Sequence, residues 1–445
     1  MLLVVAGCVA PSARENVEAA AQLVATQTPA VFEWHRSPAA DAAARTRIEA
    51  MLADGLTINE SVAVAFLASP ELQLALEQLE ISRADFVAAV TPPNPVAIVG
   101  VRDPGGNLAA FYPDRNISFG ILQNVIALLN IPDRKAIAAH ELERVRLEVA
   151  GRITNHAAQV AQAWLEYNAA LQIQELRSRS VAAARAALDT YIVAAANGGI
   201  SALDVAVERN TAFATESSST RAQLDSATAR ERLGQMLALT GWRDDWHIAA
   251  SLPALPASDA DAVAIERAAL ERRFDIRAAT KAVDGRLRAL ATQRRFRWLN
   301  QLELGVFRDQ AIGGTSFTGP NMVVELPLFD QRQAQLLSAD SELRSALRTL
   351  EATRLAARAE IRTHAAEIRT TRTLLEQYER EILPNQQKIV VALGTVADPG
   401  EPERLRLRLS TLAAEEERVG LLRDYWRARS ALALAAGDWG SGSGF

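Results

Sequence analysis

Two periods of hydrophobic patterning divide this chain. Asp133 to Ala196 contains only one helix breaker, Gly151, and Ser201 to Thr240 contains only Gly234. Residues 331–383 hold neither glycine nor proline, and Glu403 to Ala436 holds only Gly420. Globular helices average about 11–12 residues, so stretches of this length predict coiled coils or helical bundles. At about 1.5 Å per residue, 331–383 would extend roughly 80 Å. Leu405, Leu412, Val419 and Trp426 recur every seven positions, the spacing of a supercoiled seam. Arginine and glutamate crowd the other faces, as on a solvated surface.

Elsewhere the period falls to two. Ile117, Phe119 and Ile121 alternate with Asn116, Ser118 and Gly120; Leu302, Leu304 and Val306 alternate with Gln301, Glu303 and Gly305. That alternation predicts strands with one apolar and one polar face. Turn-rich segments complete two hairpins: strands 95–103 and 115–123 around Pro104-Gly105-Gly106-Asn107, and strands 297–307 and 320–328 around Gly313-Gly314 and Gly319. Strands of about ten residues suit a tilted membrane barrel, although soluble hairpins share the pattern. The predicted fold class is mainly α with a small β part.

The two halves repeat one order of helix, hairpin, long helix, turn and long helix. Ile131-Pro132-Asp133-Arg134 mirrors Leu328-Phe329-Asp330-Gln331, and Ile153-Thr154-Asn155-His156-Ala157-Ala158 mirrors Ile361-Arg362-Thr363-His364-Ala365-Ala366. Ala238-Leu239-Thr240-Gly241-Trp242 mirrors Ala435-Ala436-Gly437-Asp438-Trp439. An internal duplication is the expectation, with a first repeat over 56–242 and a second over 243–439. Residues 9–55, with Pro11, Pro29 and Pro38, read as an extended strap, and 440–445 as a flexible glycine-serine tail.

Composition narrows the function. Lys+Arg 48 against Asp+Glu 53 gives −5, which lacks the basic excess that nucleic-acid binding requires. Hydrophobic residues at 49% exclude wholesale disorder, and no apolar run is long enough for a transmembrane helix. Cys8 is the one cysteine, so neither a disulfide framework nor a multi-cysteine metal site is available. Met1-Leu2-Leu3-Val4-Val5-Ala6-Gly7-Cys8 matches the lipobox of bacterial lipoprotein signals. Residues 1–8 are too short for a whole signal, which places the true start upstream and makes Cys8 a candidate for acylation. His35, His140, His156, His247 and His364 show no ligand spacing; His156 and His364 occupy repeat-equivalent sites and are expected to be exposed. With no nucleophile or paired carboxylates in evidence, the chain is read as a non-enzyme without cofactor or metal.

Leu56-Thr57-Ile58-Asn59-Glu60-Ser61-Val62, Pro92-Pro93-Asn94-Pro95-Val96, Leu326-Pro327-Leu328-Phe329-Asp330 and Asp424-Tyr425 with Ala428, Leu432 and Gly437 follow one another in a recognisable order. From about Leu56 onward the chain resembles the TolC-like outer-membrane efflux proteins. The lipobox and Pro-Pro-Asn-Pro segment are similar to lipoprotein members serving multidrug or heavy-metal pumps. The resemblance implies a homotrimer in which each chain gives four strands to a shared 12-stranded β-barrel, with the helices forming an α-barrel across the periplasm. It implies a passive exit duct in the bacterial outer membrane, lipid-anchored at Cys8, with a periplasmic adaptor and an inner-membrane pump of RND type as partners. Gly198, Gly199, Ile200 and Ser201 match the tip that docks the adaptor. Asp204 and Glu403 match positions at the constriction, where three copies of an acidic group would ring the axis; helix capping is the simpler alternative for both. Ile117, Phe119 and Ile121 would meet lipid while Ser118 and Gly120 face the lumen. A structural coiled-coil lipoprotein and a periplasmic adaptor subunit are the competing readings.

Overall fold

The computed structural model describes residues 11–28, 32–102, 116–249, 251–259, 261–299, 301–310, 315–395 and 401–442. They fall into two compact units. The first takes the chain up to Ala19, Glu77–Glu148 and Asp275–Arg354; the second takes Ala20–Leu76, Val149–Phe274 and Leu355 onward.

The long helices form where breakers are missing. Among the described residues they are α6 (Ile131–Ala196), α7 (Ala202–Met236), α10 (Gln333–Gln377) and α12 (Glu401–Ala435), with α11 (Leu383–Thr395) continuing α10. At 66 residues, α6 runs roughly 100 Å at about 1.5 Å per residue. The stretch 331–383 is not uniform, because residues Tyr378–Ile382 form a π turn ahead of Pro384. Proline lacks an N–H and its ring crowds the carbonyl four residues back. The wider turn, in which the Leu383 N–H reaches the Tyr378 carbonyl, carries the helix past that obstacle.

The N-terminal segment departs from the expected extended strap. It contains α1 (Ala13–Ala25) and α2 (Pro38–Met51). Proline here starts helices instead of breaking them: Pro38 occupies the first turn of α2, where its missing N–H has no intrahelical partner to lose. Ser37 caps α2 by accepting from the Ala40 amide, and Ser12 and Glu15 form a reciprocal pair at the start of α1. Residues 440–442, at the start of the expected tail, are helical, and 443–445 lie outside the described residues. α13 (Trp439–Gly442) seats Trp439 at 2% exposure, its Nε1–H donating to Ser430 Oγ at 3.0 Å.

The second unit is built around α3 (Ile58–Ala68), α8 (Ala262–Arg272), α12 and the parts of α6 and α10 it contains. The expected heptad positions are all covered: Leu405, Leu412, Val419 and Trp426 are buried. Leu56 and Ile248 pair as an isolated parallel bridge, and the Trp164 Nε1–H donates to the Leu56 carbonyl at 2.8 Å. The segment before α8 is pinned as well, since Asp259 accepts from Arg372 Nε at 2.6 Å and from the Tyr425 hydroxyl at 2.5 Å.

In the first unit, β1 (Val96–Arg102), β2 (Asn116–Asn124), β3 (Leu302–Gln310) and β4 (Ser316–Val324) form one antiparallel sheet in chain order. The first hairpin lies within a residue of expectation. The second is displaced toward its turn: Phe296 and Leu299 still make helical turns after α9 (Phe274–Arg295), and Pro327 beyond β4 cannot supply a ladder donor. Gly319, expected in the turn, pairs with Phe307 inside the sheet. Residues 104–107 and 313–314 lie outside the described residues.

Candidate channel wall and helix tip

The sheet register sorts its side chains into two faces. Val99 pairs with Phe119, Ile121 with Val306, and Leu304 with Met322. These residues share one face, and they are exposed by 66%, 48%, 47%, 57%, 43% and 64% in the order Val99, Phe119, Ile121, Val306, Leu304, Met322. A continuous apolar surface of this kind marks contact with something other than water. It ends toward the β3–β4 turn at Arg308 and Gln310, opposite Thr318 and Ser316. Nine residues at about 3.4 Å span roughly 30 Å, which projects to about 22–25 Å when a strand tilts by 35–45°, close to the apolar band of a membrane barrel.

The opposite face mixes small and polar groups with larger apolar ones, among them Ile98, Leu122, Phe307, Phe317 and Val323. Gly100, Ser118, Gly120, Gly305, Gly319 and Asn321 lie there. Ser118 is buried against Gly100, its hydroxyl donating to the Gly100 carbonyl at 3.3 Å. Gly305 is required by contact: a Cβ there would coincide with the carbonyl oxygen of Ile121 on β2. β1 and β4 each pair on one side only among the described residues, leaving two open edges. Open edges leave backbone donors and acceptors unpaired, which hydrocarbon does not tolerate.

The α6–α7 turn lies in the second unit. Gly198 adopts φ +76, its N–H bonding to the Ala195 carbonyl while the Gly199 N–H reaches Ala194. This double bond pattern ends α6 with a left-handed residue, the conformation glycine adopts without a Cβ penalty. Ser201 then caps α7, and Asp204 is the third residue of a capping box: Ser201 Oγ accepts from the Asp204 amide, and Asp204 Oδ2 accepts from the Ser201 hydroxyl at 2.6 Å. The Ser201 hydroxyl, and then its amide, hold the Asp204 carboxyl below the usual carboxylate range. Asp204 is exposed, so its capping bonds leave it facing solvent. Val193, Leu203 and Val207 flank the turn at 61%, 73% and 56% exposure, an apolar fringe around a polar step.

Glu403 falls in the first turn of α12, and its side chain lies outside the described ones. Cys8 and the turn residues 396–400 also lie outside the described residues. Among the described residues no three His, Cys, Asp or Glu side chains come together as a metal site, and no helix is long and apolar enough to cross a membrane. A cavity of about 830 Å³ lies in the second unit beside the π turn. Its Glu379 and Glu415 pair with Arg418 and Arg179 at 3.8 and 4.0 Å, so these carboxylates have cationic partners.

Solved structures share this architecture. A membrane protein from Pseudomonas aeruginosa aligns over 85% of this chain and 93% of its own, with TM-score 0.68 and 17% identity. The outer-membrane channel OprN aligns over 86% and 90%, with TM-score 0.70 and 17% identity. The CmeC outer membrane channel of Campylobacter jejuni aligns over 87% and 86%, with TM-score 0.72 and 13% identity. The fold is that of the TolC-like outer-membrane channels. No protein-family model and no curated protein sequence matches the chain, so it is backbone architecture, more than sequence, that carries the likeness.

Within this channel fold, two structural residues escaped the sequence reading. Asp133, in the first turn of α6, is buried and accepts from Arg288 and Arg295, each at 2.7 Å. Its sequence mirror Asp330 instead accepts from the Arg332 amide. His156 is not exposed as expected. It lies at 7% exposure with Nδ1 3.7 Å from Glu71, and burial pushes its pKa down against the pull of that carboxylate and of the Met236 carbonyl. The flanking Ile153 and Ala157 are fully buried, as are Ile361 and Ala365 of the mirrored motif, but His364 remains partly exposed and bonds to Glu367 at 2.8 Å. The apolar positions of both motifs face a core; the histidines do not share a role.

Proposed function

We propose that this chain is one protomer of a TolC-like outer-membrane channel, the passive exit duct of a tripartite efflux system. The observation that carries the reading is the sheet: four strands, two open edges among the described residues, and one broad apolar face with a polar end at Arg308 and Gln310. Four strands cannot seal a barrel, whereas three copies joined β4 to β1 supply twelve and leave no edge in hydrocarbon. The apolar face then meets lipid and the glycine-rich face lines the lumen. The repeated helix–hairpin–helix order supports an internal duplication as the origin of the two halves.

The α6–α7 turn suits the docking of a periplasmic adaptor. Gly198 and Gly199 allow close backbone approach, Ile200 and Ser201 present an apolar and a polar group in succession, and Leu203 and Val207 widen the apolar fringe. Asp204, already ionised by its capping bonds, supplies one acidic ring at the constriction of a trimer, and Glu403 a second. Acylation of Cys8 tethers the protein to the outer membrane, and an RND-type pump is the inner-membrane partner. The exported substrate is left open.

Reconstitution in planar bilayers tests the duct. Heat-resistant trimers that conduct ions are expected; a stable monomer with no conductance supports the structural-lipoprotein alternative. In conducting trimers, Asp204→Asn and Glu403→Gln should weaken cation preference, and unchanged selectivity in both removes the acidic-ring assignment. Mass spectrometry of the mature N-terminus tests the lipid: an unmodified Cys8 behind an intact Met1 removes the anchor.

A further inference from the structure

The glycine-rich face of the sheet carries two phenylalanines, Phe307 on β3 and, nearer the β3–β4 turn, Phe317 on β4, which is exposed by 64%. The backbone neighbours of Phe307 on both sides are glycines, Gly120 on β2 and Gly319 on β4. The Phe307 ring does not stand between them. It leans toward Gly120, where an added Cβ would meet the ring atoms Cδ2 and Cε2 at 2.6 and 3.3 Å; the space over Gly319 is open to 4 Å. Ser118 leans the same way on the neighbouring pair, its Oγ lying 2.5 Å from where a Cβ on Gly100 would be.

We propose that Gly120 is a recess that stows the Phe307 ring against the barrel wall, and that this pair sets the bore of the duct at its own level of the sheet. The inference rests on the reading above that this face lines the lumen. Side chains normally stand roughly perpendicular to a sheet. Three phenyl rings in that posture would ring the axis of a twelve-stranded barrel with apolar bulk, narrowing it and disfavouring hydrated ions and polar solutes. Laid over Gly120, each ring covers backbone that glycine leaves bare and takes less of the lumen than a ring standing up from the sheet. Only glycine provides the recess, because any Cβ enters the ring's volume. Clearance at this level is then decided by a residue that never touches the axis.

Unitary conductance of reconstituted trimers, with potassium and with large tetraalkylammonium ions, tests the proposal. Gly120→Ala should lower conductance and reduce passage of the large ions relative to potassium. Gly319→Ala, which adds the same methyl on the open side of the ring, should match the wild type. Gly120→Ala combined with Phe307→Ala should recover the lost conductance, since the obstructing ring is gone. If Gly120→Ala alone fails to assemble, the double variant should restore heat-resistant trimers, and failure to do so overturns the proposal. Equal conductance in Gly120→Ala and Gly319→Ala, or a loss that persists without the ring, overturns it while leaving the duct intact. A wild-type trimer that passes no ions removes the duct, and the bore with it.

Discussion

The α12 seam and the apolar face of the sheet are written in the same kinds of residue yet end in opposite environments. Leu412 and Val419 are exposed by 2% and 4%, whereas Val306 and Met322 are exposed by 57% and 64%. Helices can cover one another within a single chain, because each offers a stripe and needs only a neighbouring stripe. A four-stranded sheet with chain-order pairing has two faces and two edges, and the described residues cover neither edge and only part of one face. The helical part is thus complete in its apolar cover at the seam, and the sheet is not. On the proposed function, the missing cover comes from lipid and from further copies.

Variants can break this contrast. The largest effect is expected from Gly305→Val, whose side chain would occupy the position of the Ile121 carbonyl and force β2 from β3; trimers should be lost on unheated gels while circular dichroism of the helices persists. Leu412→Ala should destabilise the helical part by about 2–5 kcal/mol through the cavity it leaves, read as a lower thermal midpoint in detergent. Ile121→Arg, between Ala97 and Val306 on the apolar face, should leave that midpoint in place and oppose membrane assembly by about 2–4 kcal/mol near the bilayer centre, measured as trimer yield in vesicles. Equal losses of both signals in both variants would erase the distinction between the two regions.

Smaller effects sharpen it further. His156 is buried in the helical unit with a folded pKa below its unfolded value near 6.5, so the unfolded chain binds the extra proton first. Stability from this site is complete above about pH 6.5 and falls as pH drops from there through the folded pKa. His156→Gln should flatten denaturant midpoints across that window, and an unchanged slope would assign the pH dependence elsewhere. The smallest expected change is a gain. Ala238 holds φ 53 at the end of α7, its N–H bonding to Gln235 while Leu239 reaches Gly234. Gly437 holds φ 67 in the same bond pattern after α12. Ala238→Gly should stabilise by about 1 kcal/mol, because a left-handed alanine crowds its Cβ against the backbone. Gly437→Ala should do the reverse, with added crowding from Arg272 and Arg273.

This pair also shows where pattern reading stops. Matching the two segments by letter sets Ala238 against Ala435 and misses that Ala238 takes the left-handed position of Gly437, since a cap is defined by bonds and dihedrals. The Ser201–Asp204 box and the Gly198 turn were legible, because cap chemistry spans only three or four residues. So was the cap at Ser12, where serine is followed three positions later by glutamate. Pro11, Pro29 and Pro38 mask it, because proline reads as a breaker unless it falls in a first helical turn. Asp133 could not be found this way, since its partners Arg288 and Arg295 are more than 150 residues distant in the chain and no local pattern joins them.

What the chain's own letters determined is local and periodic: where helices run unbroken, which positions form the α12 seam, and which strand residues share a face. Those follow from backbone periods of about 3.6 and 2, which any segment expresses without reference to the rest. Tertiary structure alone decided which periodic faces found cover. It buried His156 but left His364 partly exposed in matching sequence, and it laid Phe307 over Gly120 instead of Gly319. Cover depends on what packs opposite, and the residues opposite come from distant parts of the chain.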